Sequence, residues 1–444
     1  MAVITLNTVP PEVRLCIRHF LPAAVSDRSA SNFHAQRCQW HPQTYSSRFS
    51  GIPLHTSSSP SFSTAFPWVL FVTLIFFINY LPRSLVSPLL VPMEAELNMS
   101  HSQATGLLLL LSAGFSVSMA LSSVLSRVLA HRTVAALSAV AGGLALGTFA
   151  FVETRVQAGA AILCFGLSAG LYFPSGMATL AGLVRHKDWG KAIAVHELAP
   201  NVSFIAAPLI ASLALAFISW REVLCLTGAV SFVLGLMFLF FGRGGEKQRE
   251  GNLPVSCRSL LVRPRLWLFV VLIGLSIGGE YAPFSVLPLY LVNEKGIPFD
   301  TTNSILSASR LACPFVVLAA GIVADRLGTK TAVRLYLIFH GVMLFGVGLA
   351  SGMLLTGSII MQALLTAFVF PAVFKLLAEA FTPAEQATAM SLIMPMAAVL
   401  GTGIIPAILG MCGDAGSFGA GFIAMGLMNF AALGALVKTA GSRG

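Results

Sequence analysis

Residues 321–330, GIVADRLGTK, connect two apolar stretches that are each long enough to cross a membrane, Thr301–Val323 and Thr331–Ala350. Two helices of that length joined by so short a loop must run antiparallel. The loop carries two basic residues, Arg326 and Lys330. Because cytoplasmic loops of membrane proteins carry an excess of Lys and Arg, these charges predict that the loop faces the cytoplasm.

The composition of the whole chain agrees with a membrane protein. Apolar residues make up 56% of the 444 residues and charged residues only 10%, whereas soluble domains are roughly one quarter charged. Apolar stretches of about 20 residues recur from Phe66 to the C-terminus, and each is long enough to span a bilayer. These stretches are continuously apolar, which argues against the alternating pattern of membrane β-strands. We therefore expect an all-α polytopic membrane protein.

The basic excess of the chain, a net charge of +10, follows the alternation of the loops. Because Lys and Arg concentrate in every second loop, the pattern predicts that both termini are cytoplasmic. The charge then explains the topology and does not indicate a nucleic-acid partner. The seven cysteines are scattered without a C-x-x-C pair, so we expect neither a disulfide framework nor a metal site. The basic loop residues are Arg127, Arg132, Arg185, Lys187, Lys191, Arg243, Lys247, Arg249, Arg258, Arg263, Arg265, Arg326, Lys330, Arg334, Lys438 and Arg443.

The chain divides into twelve predicted transmembrane helices in two sets of six. A basic, polar cytoplasmic linker at residues 243–265 separates an N-terminal six-helix bundle, 66–242, from a C-terminal one, 266–438. Residues 439–444 form a cytoplasmic tail. Residues 1–65 are basic and Ser-rich, so they are a disordered tail, a transit-like segment or the product of a misassigned start. The predicted spans are 67–92, 103–126, 133–152, 157–184, 191–218, 221–242, 266–292, 301–324, 331–351, 356–381, 387–412 and 418–438.

The loop at residues 321–330 also resembles a known signature. Its spacing, G-x-x-x-D-R-x-G-x-K, is similar to the signature loop of the major facilitator superfamily (MFS) of secondary transporters. The resemblance implies two pseudo-symmetric six-helix bundles related by an axis along the membrane normal. It also implies a gating role for the residues that match the signature: Gly321, Asp325, Arg326, Gly328 and Lys330.

The resemblance implies that the Asp325 carboxylate and the neighbouring bases latch helices from opposite halves in one state. The equivalent loop of the first half has Arg127 where the second has Asp325, so the latch is expected to be one-sided. Lys375 and Glu379 lie one helical turn apart in the cytoplasmic half of the tenth span. We expect them to form part of the gate or a structural pair.

Three of the charged residues in the predicted spans are the main site candidates, because a charge at mid-bilayer costs about 2.5–3.5 kcal/mol on insertion scales and requires an explanation. They are Arg83 in the first span, Glu280 in the seventh and Arg310 in the eighth. We predict that Arg83 and Arg310 bind an anionic substrate and that Glu280 carries a coupled proton, since burial disfavours the charged form of a carboxyl group. Two alternatives stay open: Arg83 and Glu280 form a structural pair, or Arg310 serves only as the counter-ion of Glu280.

Four further polar residues complete the predicted site. Glu197 and Asn201 share one face of the fifth span, with Asn201 assigned to substrate binding and Glu197 to proton coupling. His196 is a second titratable candidate for proton coupling, and a hydrogen-bonded packing histidine is the favoured alternative. Tyr281, next to Glu280, is assigned to substrate binding.

The chain lacks the motifs of the main enzyme alternatives. It has no G-x-x-x-x-G-K-[ST] phosphate loop, no H-E-x-x-H zinc motif and no G-x-S-x-G elbow. We therefore expect no enzyme activity and no cofactor or metal. The resemblance, together with Arg83, Arg310 and Glu280, predicts a monomeric transporter in the cell (inner) membrane that imports a small organic anion, a carboxylate, together with protons. A proton-coupled drug or metabolite exporter and a transport-derived sensor without flux are the alternatives.

Overall fold

The computed structural model describes residues 61–246 and 257–441, and within its helices the side chains of residues 186, 318–319, 321–325, 383–384, 387 and 438–441 are not described. Within these ranges the chain is helical and contains no strand. The first half contains α1 (Phe62–Glu96), α2 (His101–Val128), α3 (His131–Gly147), α4 (Arg155–Ala169), α5 (Tyr172–Leu183), α6 (Trp189–His196), α7 (Leu198–Leu215) and α8 (Trp220–Phe241).

The second half follows a short helix, α9 (Cys257–Leu261), in the predicted linker. Its helices are α10 (Pro264–Leu289), α11 (Phe299–Arg310), α12 (Cys313–Leu327), α13 (Thr329–Leu349), α14 (Gly352–Ala380), α15 (Pro383–Ala398), α16 (Ile405–Asp414) and α17 (Phe418–Gly441). Two π-helical turns, Tyr290–Glu294 and Val399–Ile404, follow α10 and α15. Of the predicted segments, 1–60 and 442–444 lie outside the described residues.

The predicted spans correspond to these helices within a few residues. Eleven of the described helical segments are long and apolar enough to cross a membrane. The remaining predicted span, the eighth (301–324), is present as two shorter helices, α11 and α12. Capping boxes begin α2 and α15, formed by Ser100 with Gln103 and by Thr382 with Glu385. The all-α multi-span architecture is therefore confirmed.

Three spans that the sequence predicts as continuous are broken into two helices. The breaks precede Pro174, Pro200 and Pro314 by two or three residues. Proline has no backbone N–H and its ring clashes with the preceding turn, but it is well tolerated in the first turn of a new helix. The breaks therefore fall where each proline starts the following helix.

The helix pairings repeat between the two halves. In the first half α1 packs on α7, α2 on α4 and α3 on α8; in the second, α10 packs on α15, α11 and α12 on α14, and α13 on α17. Facing glycines allow the same pair to approach closely in both halves: Gly143 faces Gly228, and Gly348 faces Gly419. The helices α4 and α2 also approach closely at Gly166 and Gly170, because a Cβ at either position would overlap the backbone of α2.

The loop at residues 321–330, which resembles the MFS signature, joins α12 to α13 at Gly328. This glycine has φ = 80°, a conformation that residues with a side chain rarely adopt. Arg326 and Lys330 on either side are exposed. Thr329 donates a hydrogen bond of 3.0 Å from its hydroxyl to the Glu379 carboxylate of α14. The side chain of Asp325 is not among those that the structure describes.

The two halves meet where α1 packs on α10, α2 on α15 and α16, and α7 on α11. At one end of the bundle, hereafter the Glu94 end, hydrogen bonds join the halves. Asn293 donates to Glu94 at 3.1 Å. The Asp414 carboxylate accepts from the Ser100 hydroxyl at 3.0 Å and from the Ser102 backbone N–H at 3.2 Å. The Glu94 end is therefore closed by direct contacts between the halves.

Candidate substrate cavity

A cavity of about 150 Å³ lies between the two halves, with walls from α1, α2, α5, α10 and α15 and from the π-helical turn after α15. This volume is large enough for a small solute and exceeds the space that a single water molecule needs. Six aromatic residues line it: Phe76, Tyr80, Phe115, Tyr172, Phe173 and Tyr281. The polar lining consists of Asn79, Arg83, Glu280 and Thr402, and the remaining walls are Met119, Ile277, Met394 and Ala398.

Arg83 is the buried cation of this cavity. The residue is only 6% exposed, and its guanidinium carbon lies 4.2 Å from the ring centre of Phe115 and 4.9 Å from that of Tyr80. Contacts with aromatic faces stabilise a buried guanidinium without neutralising its charge. Among the side chains that the structure describes, no carboxylate lies within ion-pair distance of Arg83, and its Nε atom has no hydrogen-bond partner. Arg83 thus presents an unneutralised, donor-rich group to the cavity.

Glu280, by contrast, already has a cationic partner. Arg310 of α11 places Nη1 3.6 Å from the Glu280 carboxylate, and its Nη2 donates to the Glu280 backbone carbonyl at 2.7 Å. The same guanidinium lies 4.8 Å from the ring centre of Phe204. The sequence leaves open whether Glu280 pairs with Arg83 or with Arg310. In the structure, Glu280 pairs with Arg310. Arg310 contacts Glu280 and is not itself among the residues that line the cavity.

The prolines of α10 explain how this helix is held between its neighbours. Pro283 and Pro288 lack the N–H groups that would bond to the carbonyls of Gly279 and Phe284, four residues earlier. Gln362 of α14 donates to the Gly279 carbonyl, and Ser87 of α1 donates to the Phe284 carbonyl at 2.7 Å. Side chains from two other helices therefore replace the two missing helical hydrogen bonds on either side of Glu280.

Tyr281 connects the cavity wall to the backbone that carries Arg83. Its hydroxyl donates to the Arg83 carbonyl at 3.1 Å. The predicted site residues Arg83, Glu280 and Tyr281 are thus brought together at the junction of α1 and α10.

His196 lies outside the cavity lining, behind the aromatic wall. It is fully buried, its Nε2 lies 3.1 Å from the Tyr172 hydroxyl, and its ring stacks on Phe76 with ring centres 4.3 Å apart. Tyr172 donates its own hydroxyl proton to the Val72 carbonyl at 2.9 Å. His196 Nε2 must then donate to Tyr172, which assigns the proton to that nitrogen. This arrangement is the packing alternative that the sequence left open.

Two other predicted residues are also outside the cavity lining. Glu197 lies 3.4 Å from His196 Nδ1, and its side chain is 46% exposed. Asn201 donates to the Glu197 backbone carbonyl at 2.8 Å, within its own helix turn. The fifth span thus contributes residues that support the cavity wall.

The sequence interpretation missed the aromatic lining and a polar cluster behind α10. Asn79 and Tyr80, one turn from Arg83, could have been found from helical spacing alone. In the second half, Gln362 Nε2 lies 3.1 Å from His340 Nε2, and His340 Nδ1 lies 3.5 Å from the side-chain Oδ1 of Asn429. These polar residues interrupt apolar spans, and a polar residue in an apolar span is the sequence signal that could have revealed them.

These features, a helical bundle with repeated halves and a charged cavity between them, define a membrane-transport fold rather than an enzyme fold. The family model described as Major Facilitator Superfamily matches residues 72–357 and 274–441. The chain therefore belongs to this superfamily, and it is an integral, multi-pass membrane protein. The superfamily assignment made from the loop at residues 321–330 is confirmed.

Similar proteins are distant. The chain is 25% identical over 215 residues to a Na(+), Li(+), K(+)/H(+) antiporter from Planococcus maritimus, a match that covers 42% of this chain and 49% of the relative. The chain thus spans about half the length of this curated relative.

Two similar solved structures cover most of the chain. A bacterial homologue of the human lysosomal transporter Spinster, in an inward-facing and unoccupied conformation, has a TM-score of 0.68 and 13% identity, covering 85% of this chain and 96% of that one. The nucleoside transporter NupG has a TM-score of 0.67 and 14% identity, covering 84% and 98%. At these identities the likeness establishes the fold alone.

Proposed function

We propose that this protein is a secondary transporter that imports a small organic anion, a carboxylate, together with protons by alternating access. The observation that carries the proposal is the contrast between the two cavity charges. Arg83 has no carboxylate partner among the described side chains, whereas Glu280 has Arg310. A guanidinium fork binds a carboxylate through two parallel hydrogen bonds. Arg83 is therefore the group that binds the anion.

The Glu280–Arg310 pair supplies the coupling in this proposal. While Glu280 is ionised, it neutralises Arg310 and repels an anion bound to Arg83. Protonation of Glu280 removes the negative charge and leaves two unpaired arginines near the cavity. Charges about 4 Å apart interact by about 4 kcal/mol at an effective dielectric constant of 20, so the change in potential is large. Proton and anion then increase each other's affinity by the same factor.

The remaining predicted residues take supporting roles. Tyr281 fixes the backbone of Arg83, and Arg310 acts as the counter-ion of Glu280 instead of as a direct ligand. His196, Glu197 and Asn201 maintain the wall formed by α6 and α7. We assign gating to the α12–α13 turn with Lys375 and Glu379, and to the hydrogen bonds at the Glu94 end. We place both termini in the cytoplasm of a cell (inner) membrane protein that works as a monomer.

Uptake by proteoliposomes tests the proposal. Purified protein is reconstituted, and entry of radiolabelled lactate, succinate and benzoate is measured with and without an acidic exterior. We expect the acidic exterior to drive accumulation of at least one of these anions. Glu280→Gln should abolish the dependence on the pH gradient, and Arg83→Gln should abolish uptake. The matched controls are Glu153→Gln and Arg155→Ala, which replace exposed residues. Accumulation by Glu280→Gln that remains fully gradient-driven would remove Glu280 from coupling.

A proton-coupled exporter is the second candidate, and the antiporter relative supports it. The unpaired Arg83 argues against lipophilic cations as its cargo. Increased tolerance of expressing cells to such cations, with no anion uptake by the same protein, would favour export. The absence of any flux would favour a sensor.

A further inference from the structure

We propose, on the basis of the proposed anion transport, that the solute is an aromatic monocarboxylate, with its ring packed on Phe76 and its carboxylate bound by Arg83. Three independent features of the cavity lead to this class of solute: its unsatisfied charge, its ring-rich wall and its shortage of free hydrogen-bonding groups.

The charge of the cavity limits the solute to one acidic group. Arg83 and Arg310 are the buried cations near it, and Arg310 is occupied by Glu280. The Arg83 guanidinium has no carboxylate partner among the described side chains, so it can neutralise one carboxylate of the solute. A dicarboxylate would bring a second negative charge next to Glu280 without a second free cation.

The aromatic wall fits a flat ring. Phe76 is parallel to both Tyr172 and His196, at 8° and 11°, with ring centres 5.1 Å and 4.3 Å away. The centres of Tyr172 and His196 are 6.1 Å apart. Rings stacked on opposite faces of Phe76 would be at least about 7 Å apart, because stacked carbon atoms are about 3.5 Å apart. Tyr172 and His196 therefore share one face of Phe76.

Neither of these rings covers the opposite face of Phe76, and Phe76 lines the cavity together with Tyr172 and Phe173. The Phe173 ring lies 6.5 Å from Phe76 at 51°, so it is tilted and not stacked on it. Tyr80 meets Phe76 edge-on, at an interplanar angle of 80°. A planar solute ring can thus stack on Phe76 and meet the edge of a second ring, the two geometries that aromatic pairs prefer. The hydrogen bond between His196 and Tyr172 fixes these two rings against the other face of Phe76.

The polar wall gives little to a solute with many hydroxyl groups. The Asn79 amide donates to Ser138 at 3.0 Å and to the Ala169 carbonyl at 3.3 Å. The Tyr281 hydroxyl donates to the Arg83 carbonyl, and the Thr402 hydroxyl contacts Ser112 at 2.8 Å. These three donors are already used within the protein, which leaves Arg83 and the Tyr80 hydroxyl as the main donors of the described lining. Sugars and nucleosides would lose most of their hydrogen bonds to water and regain only a few.

A pair of ligands matched in size tests the aromatic requirement. The affinities of purified full-length protein for benzoate and cyclohexanecarboxylate are compared by isothermal titration, with succinate, uridine and tetraphenylphosphonium as further ligands. Both carboxylates carry one charge and a six-membered ring, so their ratio isolates the contribution of aromatic stacking. We expect benzoate to bind about three- to tenfold more tightly, the range that one aromatic pair provides.

Phe76→Leu serves as the variant, with thermal unfolding as a check that it folds. It should lower the affinity for benzoate about three- to tenfold and leave that for cyclohexanecarboxylate within about twofold. Because the two ligands are compared on one protein, a general loss of fold would affect both equally. A second variant, Phe173→Leu, repeats the comparison of the two ligands at a lining aromatic residue that does not stack on His196.

The outcomes separate this inference from the proposed function. Equal binding of the two carboxylates, or tighter binding of succinate, would overturn the aromatic monocarboxylate and leave anion transport standing. Binding of uridine or tetraphenylphosphonium without any carboxylate would overturn both. Preference for benzoate that Phe76→Leu abolishes supports the inference.

Discussion

At the scale of single residues, Arg83 and Glu280 differ mainly in whether a counter-ion is already present. Arg310 holds Glu280 through both its carboxylate and its backbone carbonyl. Arg83 is held by two aromatic rings and by the bond from Tyr281 to its carbonyl, and these contacts leave its charge unneutralised. The geometry therefore assigns different tasks to the two intramembrane arginines.

Two substitutions of Arg83 should distinguish how much its charge and its planar fork each contribute to anion affinity. A hydrogen bond to a charged group contributes about 1.5–3 kcal/mol, so Arg83→Gln should weaken anion binding about 10- to 150-fold. Arg83→Lys keeps the charge but loses the planar fork, so we expect an intermediate loss. Isothermal titration with benzoate measures both, with Arg155→Ala as the control. Equal affinities for wild type and Arg83→Gln would contradict the role of Arg83.

The sequence was sufficient to find the charged residues of the cavity but not its aromatic wall. Arg83, Glu280 and Arg310 stand out because a charge in an apolar span is costly. Phe76, Phe115 and Phe173 do not, because aromatic residues facing lipid and aromatic residues facing a cavity look alike in a continuously apolar helix. The pairing of Glu280 with Arg310 also depends on helix packing that no spacing rule supplies.

At the scale of helices, α10 owes its position to two carbonyls that its prolines leave without helical partners. Gln362 and Ser87, from α14 and α1, donate to these carbonyls. Both bonds are made within five residues of Glu280. The prolines thus convert hydrogen bonds within α10 into hydrogen bonds between helices.

Breaking one of these bonds should destabilise the protein unless the missing N–H is restored. Gln362→Leu leaves the buried Gly279 carbonyl unpaired, at a cost of about 1–3 kcal/mol. In Pro283→Ala an N–H is available for that carbonyl, so the double variant should lose less stability than the two single variants added together. Thermal unfolding in detergent measures the difference.

Ser276→Ala is the matched control for this cycle. Ser276 lies on the same helix, and its hydroxyl contacts the Leu272 carbonyl at 2.8 Å, which retains its helical N–H partner. We expect only a small effect there. Strictly additive losses for Pro283→Ala and Gln362→Leu would show that Gln362 does not compensate for the proline.

Helix positions and caps could be predicted from the sequence more reliably than helix breaks. The span boundaries agree because apolar length and capping residues are local properties. The breaks before Pro174, Pro200 and Pro314 were missed, whereas the prolines inside α1 and α10 are accommodated within continuous helices. Whether a membrane proline breaks or only loosens a helix depends on neighbouring donors, which the sequence does not reveal.

At the scale of the whole molecule, closure of the Glu94 end depends on a few polar contacts between the halves. Asn293 with Glu94, and Asp414 with Ser100 and Ser102, join them there. Alternating access requires these bonds to break when the halves rock. The Glu94 end is the predicted extracellular end of the bundle.

Weakening these contacts should open the cavity from the outside. In a protein without native cysteines, Ala398→Cys places a thiol in the cavity wall, and its labelling by a membrane-impermeant maleimide is followed in intact cells. Asp414→Ala should increase the labelling rate severalfold, because two hydrogen bonds between the halves are lost. Glu153→Gln, which replaces an exposed acid, should not. Unchanged labelling in Asp414→Ala would argue against a latch at this end.

The central claim, that a proton on Glu280 and an anion on Arg83 favour each other, is tested most directly by the affinity of the purified protein for benzoate as a function of pH. Measurements span a range in which benzoate stays ionised. If the claim is right, wild-type affinity falls at least about fivefold as pH rises and Glu280 loses its proton, a coupling typical of linked sites. Glu280→Gln should keep the low-pH affinity throughout. The same pH dependence in Glu280→Gln as in wild type would contradict the claim.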